Sequence, residues 1–372
     1  MNEVFVMDAA IVTALGGSVD ATWTALRAGV SAVRPITRFQ TDRLEFHDGA
    51  CVEGLAPGGE NIVCALMAMA LEQLKPIPND TRVIWTGIKG DAQHVESKAG
   101  GGGGMDLFLP NHYRQWVSRR LGLANEGWEV NAACTSSTVG MAIGARMIAD
   151  GECSSVLVCG ADTVSRFTFT GFSALRGLSP GKCRPFDAAR DGLCLGDGAA
   201  AVLLTDPQIA KRLGSGPLAK LTGWGIANDA NHITGPAKNG SGLISAINSA
   251  LGQAGISPDA VEAFCPHGTG TPYNDAMELT ALESVFGSRR FPLFSVKGSI
   301  GHTLGPAGAV ETAIAVRAMN EGIAPPTAGL INPEERAVGR ARGAEQPFPG
   351  NNILKSNSGF GGCNAALMFE RA

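Results

Sequence analysis

Residues 130–151, VNAACTSSTVGMAIGARMIADG, and residues 296–322, VKGSIGHTLGPAGAVETAIAVRAMNEG, share one layout. Each reads as a strand, a turn of small residues, and a helix that carries an arginine near its end and stops at a glycine. The first turn presents Cys134 and the second presents His302. A second pair follows the same logic: DGLCLGDGAAAVLL (191–204) and SGFGGCNAALMFE (358–370) each run from a Gly-rich turn into an apolar strand. The chain therefore divides into an N-terminal half, 1–205, that carries the cysteine turn and a C-terminal half, 206–372, that carries the histidine turns. Two similar halves packed together would bring their helix starts to a shared centre, which lets residues far apart in sequence meet in one site.

Outside these stretches, short apolar runs at Val4–Met7, Ser155–Cys159, Ala200–Leu204 and Ala366–Phe369 read as buried strands alternating with Ala-rich helical segments, a layered α/β chain. Three stretches read as irregular: the Gly100–Gly104 run, residues 179–198, and the Pro-rich piece 324–333. The glycine run lies upstream of Cys134 and reads as a loop, or as a gate over the site.

Of the 372 residues, 44% are apolar and only 17% charged, with 50 glycines, as expected where tight turns and small-residue packings surround a buried site. A net charge of −4 argues against nucleic-acid binding, which needs a basic stripe to neutralise phosphates. The nine cysteines contain no CxxC pair, so no zinc or redox motif is expected and no metal is assigned. No run is apolar and long enough to span a bilayer, and the N-terminus lacks a basic region and a cleavage site, which places the chain in the cytoplasm.

Cys134 sits where a strand gives way to a helix, so its thiol would face free backbone N–H groups and the positive end of the helix dipole, a setting that favours thiolate. Ala132, Ala133, Ser136 and Ser137 leave room for a substrate to approach. The other cysteines read as small buried hydrophobes. His267, in CPHGTGTPYND, follows the apolar run 261–264, and His302 follows in SVKGSIGHTLGPAGAVE; both are expected at strand ends in Gly-rich turns. One cysteine and two histidines so placed point to nucleophilic acyl chemistry assisted by neutral imidazoles.

At these residues the sequence resembles the β-ketoacyl-acyl carrier protein synthases, condensing enzymes of the thiolase fold. Six ordered blocks carry the likeness: AACTSS around Cys134, GFSALRGLS (171–179), CRPFDAARDG (183–192), HGTGTPYND, SVKGSIGHTLGPAGAVE and NSGFGGCNAAL (357–367). The resemblance implies two α/β halves in an αβαβα arrangement. It further implies Cys134 as the acyl-carrying nucleophile, with His267 and His302 polarising a malonyl thioester for decarboxylation. Lys297 and Glu311 match the family's buried lysine and helix glutamate, and Thr269 and Thr271 match hydroxyls that hold a phosphopantetheine arm. Phe360 matches the gating phenylalanine, whose N–H joins that of Cys134 in an oxyanion hole. Phe172 falls at the acyl pocket and Arg176 at a carrier-docking position.

The implied partners are an acyl carrier protein and a second subunit, either another copy or a chain-length-factor-like chain. No cofactor is implied beyond the phosphopantetheine that carries the substrates. The GLSPGK and CRPFDAARDG stretches look most like specialised polyene or aryl-polyene synthases. Two other readings stand beside the condensing enzyme. A non-catalytic chain-length subunit typically lacks the nucleophile that is present here, and a degradative thiolase would use a second cysteine near the C-terminus, a place held by Cys363. Residues 40–110 do not align with the family, so chain length is not readable from them.

Overall fold

The computed structural model of the protein describes residues 2–55, 61–92, 96, 109–125 and 127–372. The Gly100–Gly104 run lies outside the described residues.

Nine strands form one continuous sheet: β1 (Phe5–Thr13), β2 (Arg82–Trp85), β3 (Trp128–Glu129), β4 (Ser155–Asp162), β5 (Gly198–Thr205), β6 (Ala219–Asn228), β7 (Ala263–Cys265), β8 (Asn352–Ser358) and β9 (Cys363–Glu370). Their order across the sheet is β3-β2-β4-β5-β1-β6-β9-β8-β7. The β1/β6 seam is narrow, pairing only Phe5 with Lys220 and Val6 with Ala219. On either side of it the same pattern recurs. The first strand of each segment (β1 or β6) pairs antiparallel with its last (β5 or β9), then comes an antiparallel neighbour (β4 or β8), then a parallel one (β2 or β7). Even the edge is repeated, since β3 runs parallel to β2 and an isolated parallel bridge joins Leu293 to Phe264 of β7.

Helices α4 (Ser136–Ala149) and α8 (Ala307–Glu321) lie side by side between the two parts of the sheet. α4 rests on β4 and reaches β9, while α8 rests on β8 and reaches β5. Helices α2 (Ile62–Leu71) and α3 (Pro110–Leu121) cover the outer face of the N-terminal part, and α6 (Ser241–Ala254) and α7 (Pro272–Phe286) that of the C-terminal part. The result is the αβαβα layering of the thiolase fold. A helix between two sheets has no solvent face, which explains why α4 and α8 are built largely of small and apolar residues and are buried on nearly every side. Small residues set the spacing. A Cβ on Gly144 would stand 2.9 Å from Val156 Cγ1, and one on Gly308 would stand 2.1 Å from Thr138 Oγ1, so α4 can approach both β4 and α8 only because glycine occupies these places.

The expected strands are present, but one local expectation is corrected. His302 does not follow a strand. Residues Lys297–Ile300 form a single helical turn, closed by Ile300 N–H to Val296 O (3.0 Å) and Gly301 N–H to Lys297 O (3.0 Å). Within this turn Lys297 reaches the His267 carbonyl and Ile300 packs into the main core.

The segment preceding β5 is held by a buried ion pair. Asp197 receives both guanidinium nitrogens of Arg38 (2.9 and 2.5 Å), and it also accepts the N–H groups of Val52 (2.8 Å) and Val164 (2.6 Å). The same segment carries the backbone that fastens His302, through His302 N–H to Cys194 O (2.7 Å) and Gly196 N–H to His302 O (3.0 Å). Removing one partner of a buried pair strands the other charge. Arg38→Ala is therefore expected to lower the unfolding free energy by about 3–5 kcal/mol, read from denaturant titration against the parent protein.

Candidate active site

The turn before α4 places Cys134. Ala133 adopts φ 50°, a left-handed conformation that costs energy for a residue with a Cβ. It is held there by Ser136, whose hydroxyl donates to Ala133 O (2.6 Å) and accepts from Ala132 N–H (2.9 Å). Thr135 Oγ1 donates to Cys363 O (3.1 Å), tying this turn to the start of β9. On the other side Ser137 Oγ donates to Gly305 O (2.7 Å) and accepts from Ala309 N–H (3.0 Å), which clamps the α4 start to the His302 loop. Asp162, at the end of β4, holds that loop too by accepting from Gly305 N–H (3.0 Å).

Cys134, His267 and His302 all line a cavity of about 440 Å³, together with Phe172, Arg176, Thr269, Thr271 and Phe360. The two imidazoles meet edge to face with ring centres 5.0 Å apart. His302 Nδ1 accepts from Leu304 N–H (3.2 Å), so the neutral ring carries its proton on Nε2, and that buried nitrogen has no partner among the described residues. His267 Nδ1 accepts from Asn357 Nδ2 (2.8 Å), with Lys297 Nζ farther away at 3.4 Å. Burial, reinforced by the Lys297 ammonium, holds both histidines well below the usual imidazole range, so they are neutral at physiological pH.

The HGTGT loop that presents His267 turns around two buried carboxylates of α7. Glu278 accepts from the N–H groups of His267 (2.6 Å) and Gly268 (2.7 Å), and Asp275 from Gly270 N–H (3.2 Å). Gly268 has φ 46°, and a Cβ there would lie 2.6 Å from Ser295 Cβ. Burial, with Asp275 beside it, pushes Glu278 up to about 8. Thr269 and Thr271 hydroxyls sit 2.9 Å apart on the cavity wall.

Beneath His267, Glu311 of α8 bonds both Lys297 and Lys355, the latter at 2.6 Å, and Lys297 Nζ also donates to the His267 carbonyl (2.5 Å). Burial alone would raise the Glu311 carboxyl, but the two ammoniums outweigh it and hold the group below its ordinary value. Phe172 stacks on Phe360, with centroids 5.7 Å apart, and Arg176 stands exposed at the mouth just past the end of helix α5 (Arg166–Ala174). Neither Cys134 N–H nor Phe360 N–H has a main-chain acceptor among the described residues.

The expectation of a thiolate-favouring setting at Cys134 is corrected. Burial pushes the thiol up to about 11, and the nearby Lys297 and Lys89 ammoniums offset this only in part. None of the nine cysteines forms a disulfide. Cys159, Cys183, Cys194 and Cys265 are buried, whereas Cys51, Cys64, Cys153 and Cys363 are half-buried, and no cluster fit to hold a metal ion occurs among the described residues. Cys363 does not line the cavity. The sequence reading missed Lys355 and Asn357, both fully buried in β8. Their signal was a lysine directly after the apolar pair Ile353–Leu354 in a strand, where a buried charge requires a partner.

Models of the beta-ketoacyl synthase N-terminal domain and C-terminal domain match residues 87–209 and 218–330. The chain is 31% identical to the 3-oxoacyl-(acyl-carrier-protein) synthase 2 of Coxiella burnetii, covering 100% of this chain and 99% of the relative. Among solved structures, the ishigamide ketosynthase/chain length factor superposes with a TM-score of 0.90 at 26% identity, over 100% of this chain and 99% of that one. A ketosynthase in complex with its chain length factor from Xenorhabdus doucetiae superposes with a TM-score of 0.84 at 26% identity, over 100% and 98%. The chain matches these proteins over its whole length, and it belongs to the beta-ketoacyl synthase family of condensing acyltransferases.

Proposed function

We propose that Cys134 accepts an acyl group from the phosphopantetheine thiol of an acyl carrier protein and that the site then extends it with a malonyl thioester. The observation that carries this reading is the pair of neutral imidazoles, each with Nδ1 occupied as an acceptor, in the cavity that also receives the Cys134 thiol.

The Cys134 sulfur attacks the incoming thioester carbonyl, the carrier thiol leaves with the proton, and the oxyanion rests on the N–H groups of Cys134 and Phe360. When the malonyl thioester enters, its terminal C–C bond breaks. Carbon dioxide departs and the electron pair moves onto the thioester as an enolate, whose oxygen accepts from Nε2–H of His267 and His302. The carbanion attacks the acyl-Cys134 carbonyl and the thiolate is expelled, to be reprotonated for the next cycle. Lys297, itself held by Glu311, holds His267 by its carbonyl, while Thr269 and Thr271 bind the pantetheine arm. Phe172 and Phe360 gate the acyl side. No resident cofactor is required. The second subunit is a further copy of the chain or a chain-length-factor-like protein, and the reaction belongs in the cytoplasm, in line with the absence of any membrane-crossing helix among the described residues.

Three outcomes test these roles. Cys134→Ala should gain no acyl mass by intact-protein mass spectrometry, whereas His267→Ala and His302→Ala should still load acyl groups but release carbon dioxide about 10²–10³-fold more slowly. Undiminished decarboxylation in both histidine variants contradicts the assignment.

Because the Cys134 thiol is raised to about 11, the resting residue is protonated. Its alkylation by iodoacetamide should climb steadily from about pH 7 to about pH 10, whereas a plateau near neutrality would mean a preformed thiolate.

Arg176, with exposed Leu175 and Tyr273 beside it at the mouth, is placed to meet an acidic carrier. Arg176→Glu should slow the reaction of carrier-bound substrate and flatten its fall with salt, because less attraction is then left to screen within about 10 Å at 0.1 M. A pantetheine thioester that bypasses the carrier should react as before; equal impairment of both substrates would remove the docking role.

A further inference from the structure

We propose that Asn357 is the positioning residue that decides which nitrogen of His267 carries the proton, and that Lys355 and Thr138 act through it by fixing the direction of its amide. The inference rests on the reading of His267 as a hydrogen-bond donor during decarboxylation.

Asn357 lies near the end of β8 with no solvent exposure. Its Oδ1 receives the Lys355 ammonium and the Thr138 hydroxyl, the latter at 2.5 Å from α4. An ammonium has only protons to give, so the atom facing it must be the oxygen, and the amide has one chemically consistent orientation. Nδ2 is thereby turned to two acceptors, Glu311 Oε2 (2.8 Å) and His267 Nδ1 (2.8 Å). An N–H aimed at Nδ1 demands a lone pair there, and a neutral ring then carries its proton on Nε2.

The other groups around the ring do not do this as directly. Lys297 Nζ stands 3.4 Å from Nδ1 and spends its shorter bonds on the His267 carbonyl and Glu311. Glu278 holds the backbone N–H rather than the ring, and His302 meets the ring edge to face. Lys355 reaches Glu311, the Ser356 carbonyl and Asn357, not the imidazole. Asn357 therefore links α4, α8 and β8 to the one ring atom whose lone pair sets the donor. His302 receives the equivalent setting from the backbone N–H of Leu304, so the two histidines reach the same tautomer by different means.

Nitrogen-15 NMR of the full-length, histidine-labelled protein reads the tautomer without turnover. The parent should show His267 protonated on Nε2. Asn357→Ala should lose that bias and populate the Nδ1–H form. Asn357→Asp, whose carboxylate accepts instead of donating, should place a proton on Nδ1 and raise the ring's titration. Decarboxylation of malonyl thioester should fall about 10²-fold in both variants while acyl loading of Cys134, which also reports correct folding, stays within a factor of about two. Thr138→Val should show a smaller effect in the same direction, and Thr138→Ser, which keeps the hydroxyl, should restore the parent behaviour. His267 remaining on Nε2 in Asn357→Ala overturns the proposal, as does a loss of loading in step with decarboxylation in both Asn357 variants. A tautomer that moves as expected without any change in decarboxylation upholds the positioning role and refutes instead the reading of His267 as a donor.

Discussion

The carboxylate of Glu311, buried between the ammoniums of Lys297 and Lys355, is the contact on which the site depends. It joins α8, β8 and the helical turn before His302 in a place that water does not reach. A buried ion pair is weak evidence of net stability, but breaking one is severe because the remaining charges are left without solvent. Here the remaining charges would be two lysines, one of which also holds the His267 carbonyl. The arrangement therefore works as a constraint: the ammoniums cannot drift from Glu311, and His267 cannot drift from the ammoniums.

A second constraint comes from packing. α4 and α8 are enclosed by sheet on both sides, so their positions along and about their axes are set by small-residue contacts rather than by an amphipathic face. This rigidity supports two strained residues, Ala133 and Leu304, whose left-handed conformations aim the Cys134 and His302 turns. The bonds from Ser137 and Asp162 to Gly305 then keep Cys134 and His302 in one frame. The same enclosure has a chemical consequence at Cys134. Desolvation raises the thiol more than the neighbouring ammoniums lower it, so Cys134 rests as a thiol.

Much of this was legible in the amino-acid sequence. The duplicated strand–turn–helix pattern foretold the repeated sheet topology, and the apolar runs at 155–159 and 200–204 became β4 and β5 because both faces of a central strand are covered. Cys134, His267 and His302 stood out because glycine and small residues surround each of them, and such turns are needed wherever backbone must bend sharply around a substrate. The helical turn at Lys297–Ile300 was not legible, because its apolar and small residues suit a strand equally well and the choice is made by where the lysine finds its carboxylate.

The sequence by itself determined a layered α/β chain with a repeated strand–turn–helix pattern, since this follows from periodicity, and its resemblance to the condensing enzymes implied the αβαβα arrangement and the proposed reacting groups. Only the tertiary structure decided the protonation of those groups. The neutral state of the histidines, the proton on Nε2 and the raised Cys134 thiol all depend on burial and on partners such as Asn357, Lys355 and Leu304. Asn357 and Lys355 lie 90 and 88 positions from His267, and no local pattern could pair them with it. Their effect is electrostatic and falls with distance in space, a quantity that chain order does not contain.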